Sequence, residues 1–208
     1  KWWRKPVAGG ADELILDENA LAAGHEYFRL GAVSVSPSGR LLAYSTDTDG
    51  SERYTVRLRD LTTGAAWDDA VESTIGGIVW SAAEDAVLYS LSDEHWRHRT
   101  IKLHRLGTPA ADDVVIYHDP DEAFSCSVSL GAQERWIVLA AGDHETSEVR
   151  LIPAANPLAE PILVKPRAKG VEYAVDVRDD TLFVHTNDTH ENFRLATAPL
   201  SAPGEWIT

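Results

Sequence analysis

Few residues of this chain are of a type and spacing that could do chemistry. A serine that performs acyl transfer sits on a tight strand-to-helix elbow, usually G-x-S-x-G, beside a histidine base and an orienting carboxylate. No serine here has glycine both two positions before and two positions after it. His95, His98 and His104 are close enough in sequence to suggest a metal site. On a strand, however, His95 and His98 point to opposite faces, and no clustered cysteine joins them. Asp47-Thr48-Asp49-Gly50-Ser51-Glu52 opens like a calcium loop but lacks the third acidic position and the closing bidentate glutamate, so a hairpin turn is the better reading. Asn187-Asp188-Thr189 fits the N-glycosylation pattern and, without a secretory signal, is read as idle. The single cysteine, Cys126, reads as a small buried apolar residue. The expectation is no catalytic residue, no metal site and no cofactor.

The elements that would carry these residues follow from a repeat. A bulky apolar residue, a basic residue and leucine recur at Val56-Arg57-Leu58, Ile101-Lys102-Leu103, Val149-Arg150-Leu151 and Phe193-Arg194-Leu195, the basic residues stepping by 45, 48 and 44 positions. A fixed period in this range marks a repeat architecture. Within each unit, short apolar or alternating runs separated by turn residues argue strands. The first unit reads as strands over 32–36, 41–46, 53–61 and 66–71, and the second over 78–81, 86–91, 99–106 and 114–117. The third reads as 125–130, 135–140, 147–152 and 161–164, and the fourth as 172–177, 181–186 and 192–198, with a last strand starting near Trp206. Residues 1–5 and 13–17 read as the last two strands of a preceding unit, and 19–23 as a short helical link. Asp47, Asp93, Asp143 and Asp188 follow the second strand of successive units and mark a repeated loop. Arg57, Lys102, Arg150 and Arg194 are expected on outer strands, pairing with local acids and binding no ligand.

Four strands per unit at this period is the sequence form of a β-propeller blade. The fold class is therefore all-β, a partial propeller of about four four-stranded antiparallel blades plus the end of another. We divide it into 1–27 (end of a preceding blade and linker), the blades 28–72, 73–119 and 120–166, and an incomplete blade 167–208.

The 208 residues, 44% apolar and 25% charged, suit a soluble globular domain. No apolar run approaches the roughly 18 to 20 residues that span a bilayer, and the amino end lacks the apolar stretch of a signal peptide. With one cysteine as well, the expected setting is cytoplasmic, with no membrane partner. A net charge of -14 repels phosphate backbones and would favour basic peptides over nucleic acid as partners, while its plainer and weightier reading is that it keeps the protein soluble. The chain has no methionine, and a strand-like segment begins at its carboxyl end, so we expect it to be part of something longer.

Several runs are specific enough to compare with known proteins. They include Glu13-Leu14-Ile15-Leu16-Asp17-Glu18-Asn19-Ala20-Leu21-Ala22, His25-Glu26-Tyr27-Phe28, Val35-Ser36-Pro37-Ser38-Gly39-Arg40 and the stretch from Leu41 to Thr55. Further on come His104-Arg105-Leu106-Gly107-Thr108, Thr146-Ser147-Glu148-Val149-Arg150-Leu151, Gly170-Val171-Glu172-Tyr173 and the stretch from Thr186 to Leu195. In this order they resemble the propeller domain of the oligopeptidase B, or protease II, family, within the prolyl oligopeptidase group of serine peptidases. Two departures are the turn Ser81-Ala82-Ala83-Glu84-Asp85, which lacks the family's usual glycine, and His98, where proline is common.

The resemblance implies a seven-bladed ring in the whole protein and a catalytic triad in a flanking α/β-hydrolase domain, the principal partner of this chain. It also implies a gating and size-selecting role for the propeller, and cleavage of short basic peptides after Arg or Lys. This chain alone is then expected to be inactive. The axial tunnel of such a ring is lined by the first strand of each blade, here near Ser34, Ile78, Ser127 and Ala174. An open arc leaves blade faces uncovered, so self-association is expected. The alternatives are a stand-alone propeller scaffold for protein interaction, or the propeller of a related exopeptidase or acyl-peptide hydrolase.

Overall fold

The computed structural model describes residues 1–208. Strands β1 (Trp2–Arg4) and β2 (Glu13–Leu16) form a two-stranded sheet, and helix α1 (Glu18–Ala22) links it to the rest. Asp17 caps that helix by accepting the Asn19 amide at 3.0 Å. The first blade is β3 (Arg29–Val35), β4 (Leu41–Asp47), β5 (Tyr54–Asp60) and β6 (Ala66–Thr74). The second is β7 (Val79–Trp80), β8 (Ala86–Leu91), β9 (Thr100–Arg105) and β10 (Val114–His118). The third is β11 (Ser125–Leu130), β12 (Trp136–Gly142), β13 (Ser147–Pro153) and β14 (Ile162–Leu163). The fourth is β15 (Tyr173–Arg178), β16 (Thr181–Thr186) and β17 (Arg194–Pro199). All pairings are antiparallel between chain neighbours, apart from one link between β6 and β8.

That link joins the first two blades edge to edge. The first strand of the second blade, expected over 78–81, is only the two residues of β7 because Gly76 and Gly77 precede it. The vacated edge of β8 is taken by the end of the first blade: Thr74 pairs with Leu91, the Ile75 amide donates to Ser90 O, and the Ser92 amide donates to Ser73 O. The two blades thus share one hydrogen-bonded ladder. The final expected strand is likewise reduced to a single bridge between Thr197 and Ile207.

The core lies in layers between the sheets. Ile15 and Leu16 of the first hairpin pack on Leu42, Tyr44 and Leu61. Leu41, Ala43 and Leu58 of the first blade meet Trp80 and Val87 of the second, and Val56 and Val71 meet Tyr89. Leu88, Ile101 and Leu103 meet Ile137, Leu139 and Ile152 in the next layer. Val149 and Leu151 meet Leu182, Val184 and Ala196 in the last.

Strand alternation gives the repeated motif a direction. Its two apolar residues face the following blade, as Val56/Leu58, Ile101/Leu103 and Val149/Leu151 do. Its basic residue therefore faces the preceding one. In the fourth copy Leu195 is 72% exposed, since no further sheet covers that side. The basic residues lie on the third strand of each blade, which is the outermost strand only in the three-stranded fourth blade. Arg150 pairs with Glu148 and Arg194 with Asp188, whereas Arg57 and Lys102 form no ion pair.

Candidate functional site

In a propeller the first strand of each blade lies nearest the axis. β3, β7, β11 and β15 occupy this position; their exposed residues are small in the middle of β11 and at Ala174, whereas Arg29, Val35 and Arg178 are exposed at strand ends. Ser34 on β3 is half-buried opposite Ala43, and its carbonyl accepts the Trp80 indole N–H at 3.2 Å. Ser127 on β11 is exposed opposite Ala140, and Ala174 on β15 is exposed opposite His185. Ile78 lies just before β7, but its side chain packs into the layers between the first two blades. The four residues thus sit on or beside the innermost strands without forming a catalytic constellation.

The rim of the arc where second strands end carries the polar structure. Asp47 Oδ1 accepts the Asp49 and Gly50 amides at 3.0 and 2.9 Å, and its Oδ2 accepts the Glu52 amide at 2.8 Å. Both oxygens of the suspected calcium loop therefore hold backbone. Asp93 accepts the His95 and Arg97 amides at 2.8 and 2.9 Å, and Asp143 those of Glu145 and Thr146 at 2.9 and 2.7 Å. Asp188 departs from the pattern and binds Arg194 Nε at 2.8 Å. The carboxyls of Asp93, Asp143 and Asp188 lie below the usual range: backbone N–H groups lead in holding Asp93 and Asp143 there, and the Arg194 hydrogen bond leads at Asp188.

Between the second and third blades this rim holds a closed ring of side chains. Tyr117 donates its hydroxyl to Asp119 Oδ2 at 2.8 Å, and Arg167 Nη2 donates to the same oxygen at 2.5 Å and to Glu148 Oε1 at 3.2 Å. Arg150 Nη1 donates to Glu148 Oε1 at 2.5 Å and to Tyr117 Oη at 2.9 Å, closing the ring. The Asp119 side chain is fully buried, and the Arg167 guanidinium also lies 3.9 Å from the Phe124 ring centroid. Burial pushes both carboxyls upward, but hydrogen bonds led by those from Arg167 outweigh it and hold each below its ordinary range. The ring joins the second-to-third blade connection, β13 and the third-to-fourth blade connection.

The remaining candidates have structural surroundings. His104 is fully buried, its Nδ1 2.8 Å from Asp113 Oδ1 and its Nε2 3.4 Å from Asp69 Oδ2, while the Tyr89 hydroxyl donates to Asp113 at 2.8 Å. No substrate reaches it. His95 lies exposed beside Glu94, and His98 is half-buried with its pKa lowered by burial. Cys126 is 1% exposed, and burial pushes its thiol up to about 12, which leaves it unreactive. The ring was not legible in the sequence because its members come from separate segments, with Tyr117-x-Asp119 and Glu148-x-Arg150 as its local signals.

The family model for the prolyl oligopeptidase N-terminal β-propeller domain matches residues 1–208. Dipeptidyl aminopeptidase BI of Pseudoxanthomonas mexicana is 36% identical over 190 residues, covering 90% of this chain and 26% of that protein. Protease 2 of Moraxella lacunata is 31% identical over 200 residues, covering 95% of this chain and 29% of that protein. Among solved structures, oligopeptidase B from Leishmania major superposes with a TM-score of 0.90 at 29% identity, covering 96% of this chain and 28% of that one. The antipain-bound, closed oligopeptidase B from Trypanosoma brucei gives 0.87 at 33% identity, covering 98% and 29%. The chain thus spans less than a third of the length of each of these proteins. On this evidence the chain belongs to the N-terminal β-propeller domain family of the prolyl oligopeptidases.

Proposed function

We propose that this chain is the gating part of a longer serine peptidase, controlling which peptides reach a separate α/β-hydrolase domain. The match to the propeller-domain family over its whole length carries this reading. Small exposed residues such as Ser127 and Ala174 on the innermost strands support it, because they leave room beside the axis for an extended peptide. The net charge of -14 favours basic substrates, in keeping with cleavage after Arg or Lys. Size selection is tested on the longer protein with Arg- or Lys-containing peptides of increasing length. Rates should fall with length, and Ser127→Trp should slow long peptides severalfold more than short ones. Equal slowing at every length would reject the gate.

A second reading draws support from the dipeptidyl aminopeptidase relative at 36% identity. It replaces internal cleavage with release of dipeptides from a free amino terminus. Amino-terminally blocked peptides separate the two, since an endopeptidase cleaves them and a dipeptidyl peptidase does not.

A further inference from the structure

The polar face of the first blade beside the helical link is not used by the gating role. Tyr44 on β4 lies opposite Arg57 on β5, and Thr46 opposite Thr55, so all four share one face. With His25 and Thr48 they line a cavity of about 140 Å³, walled by apolar residues of the link. No carboxylate lines it, in a chain with 33 acidic residues. Tyr44 and Thr46 are more than nine-tenths buried as residues, and no side chain lining this cavity hydrogen-bonds to another protein group, so their hydroxyls remain open to solvent in the cavity. Arg57 is exposed here without an ion pair, unlike Arg150 at the corresponding position of the third blade, which is tied to Glu148 and Tyr117.

The geometry points to this cavity as a binding site for a single carboxylate or similar small oxyanion. A planar guanidinium presents paired N–H donors that match a carboxylate, and threonine and tyrosine hydroxyls supply neutral donors around it. The volume admits one such group with a few waters and excludes a nucleotide. This replaces the expectation that Arg57 only pairs with local acids. The carboxylate comes either from a free small molecule or from an acidic side chain elsewhere in the longer protein, and the two sources share the same recognition chemistry.

The test is an NMR titration of this chain with sodium acetate and, separately, inorganic phosphate, at ionic strength held constant with sodium chloride. Saturable shifts at the Thr46 and Thr55 amides are expected. Arg57→Leu should weaken binding at least tenfold, and Thr55→Val severalfold, with the melting temperature of both variants unchanged. Repeating the titration on the longer protein separates the sources: retained binding assigns the site to a free ligand, and binding lost there but present in this chain assigns it to an internal carboxylate. Absence of saturable shifts in this chain, or Arg57→Leu binding as tightly as the parent, would overturn the site.

Discussion

The ring around Arg167 is a polar contribution to stability that can be tested one side chain at a time. Removing one partner of a buried ion pair leaves an uncompensated charge, at a cost of about 3–5 kcal/mol. Arg167→Met should therefore destabilise the chain by that order at neutral pH, measured by urea denaturation, because Asp119 stays fully buried. The pH dependence gives a sharper check. The folded-state pKa values of Asp119 and Glu148 are depressed, so their contribution is complete above the unfolded carboxyl range, about 4, and is lost as pH falls through the folded values. In the variant burial acts unopposed by Arg167, and protonation relieves it. The stability gap between parent and variant should thus narrow steadily on acidification from about pH 7 to about pH 3. A constant gap would place the ring's contribution elsewhere. At this scale the sequence was partly legible. Three of the four repeated aspartates, Asp47, Asp93 and Asp143, announced their loops because each binds backbone within five residues, whereas Asp188 binds the Arg194 side chain. The ring did not, because Asp119 and Arg167 are 48 positions apart and no local period relates them.

At the scale of elements, alternation and turn residues located nearly every strand, and the residual errors have physical causes. The expected helix over 19–23 begins one residue earlier because Asp17 caps it. β3 begins at Arg29 instead of 32, since a bulge between Leu30 and Val33 interrupts the alternation that would have revealed it. Ser45 repairs that bulge by accepting the Ala32 amide at 2.9 Å and donating to Gly76 O at 2.9 Å. A Cβ on Gly31 would come within 2.5 Å of the Tyr54 ring, so only glycine fits beside this crossing. The turn lacking a glycine keeps the left-handed backbone all the same: Glu84 has φ 58°, where Gly39 has φ 76° in the first blade. Its side chain explains the choice, because Glu84 accepts from the Ser36 and Ser38 hydroxyls at 2.8 and 2.6 Å and ties the second blade to the first. A glycine would relax the backbone and lose that clamp.

At the scale of the molecule, the direction of the apolar-basic-leucine motif predicts how the chain meets other sheets. Its final copy presents Leu195 to solvent at 72%, beside Phe183 at 46%, and Ile207 is exposed at 64%. Uncovered faces of this kind associate. Sedimentation velocity over rising concentration should therefore show the chain self-associating, with Leu195→Lys shifting it toward monomer; a monomer at every concentration would contradict the reading of this face. The family was legible from short runs in order, whereas the cavity at Arg57 was not, because it is assembled from two strands and the link. The central proposal, that this chain gates a catalytic domain and takes no part in the chemistry, rests on its match to the propeller-domain family over the whole length. The most direct measurement incubates the purified chain with Arg- and Lys-containing chromogenic peptides, with and without a serine-directed inhibitor. The account predicts no turnover above background in either case. Hydrolysis by the chain that the inhibitor abolishes would contradict it.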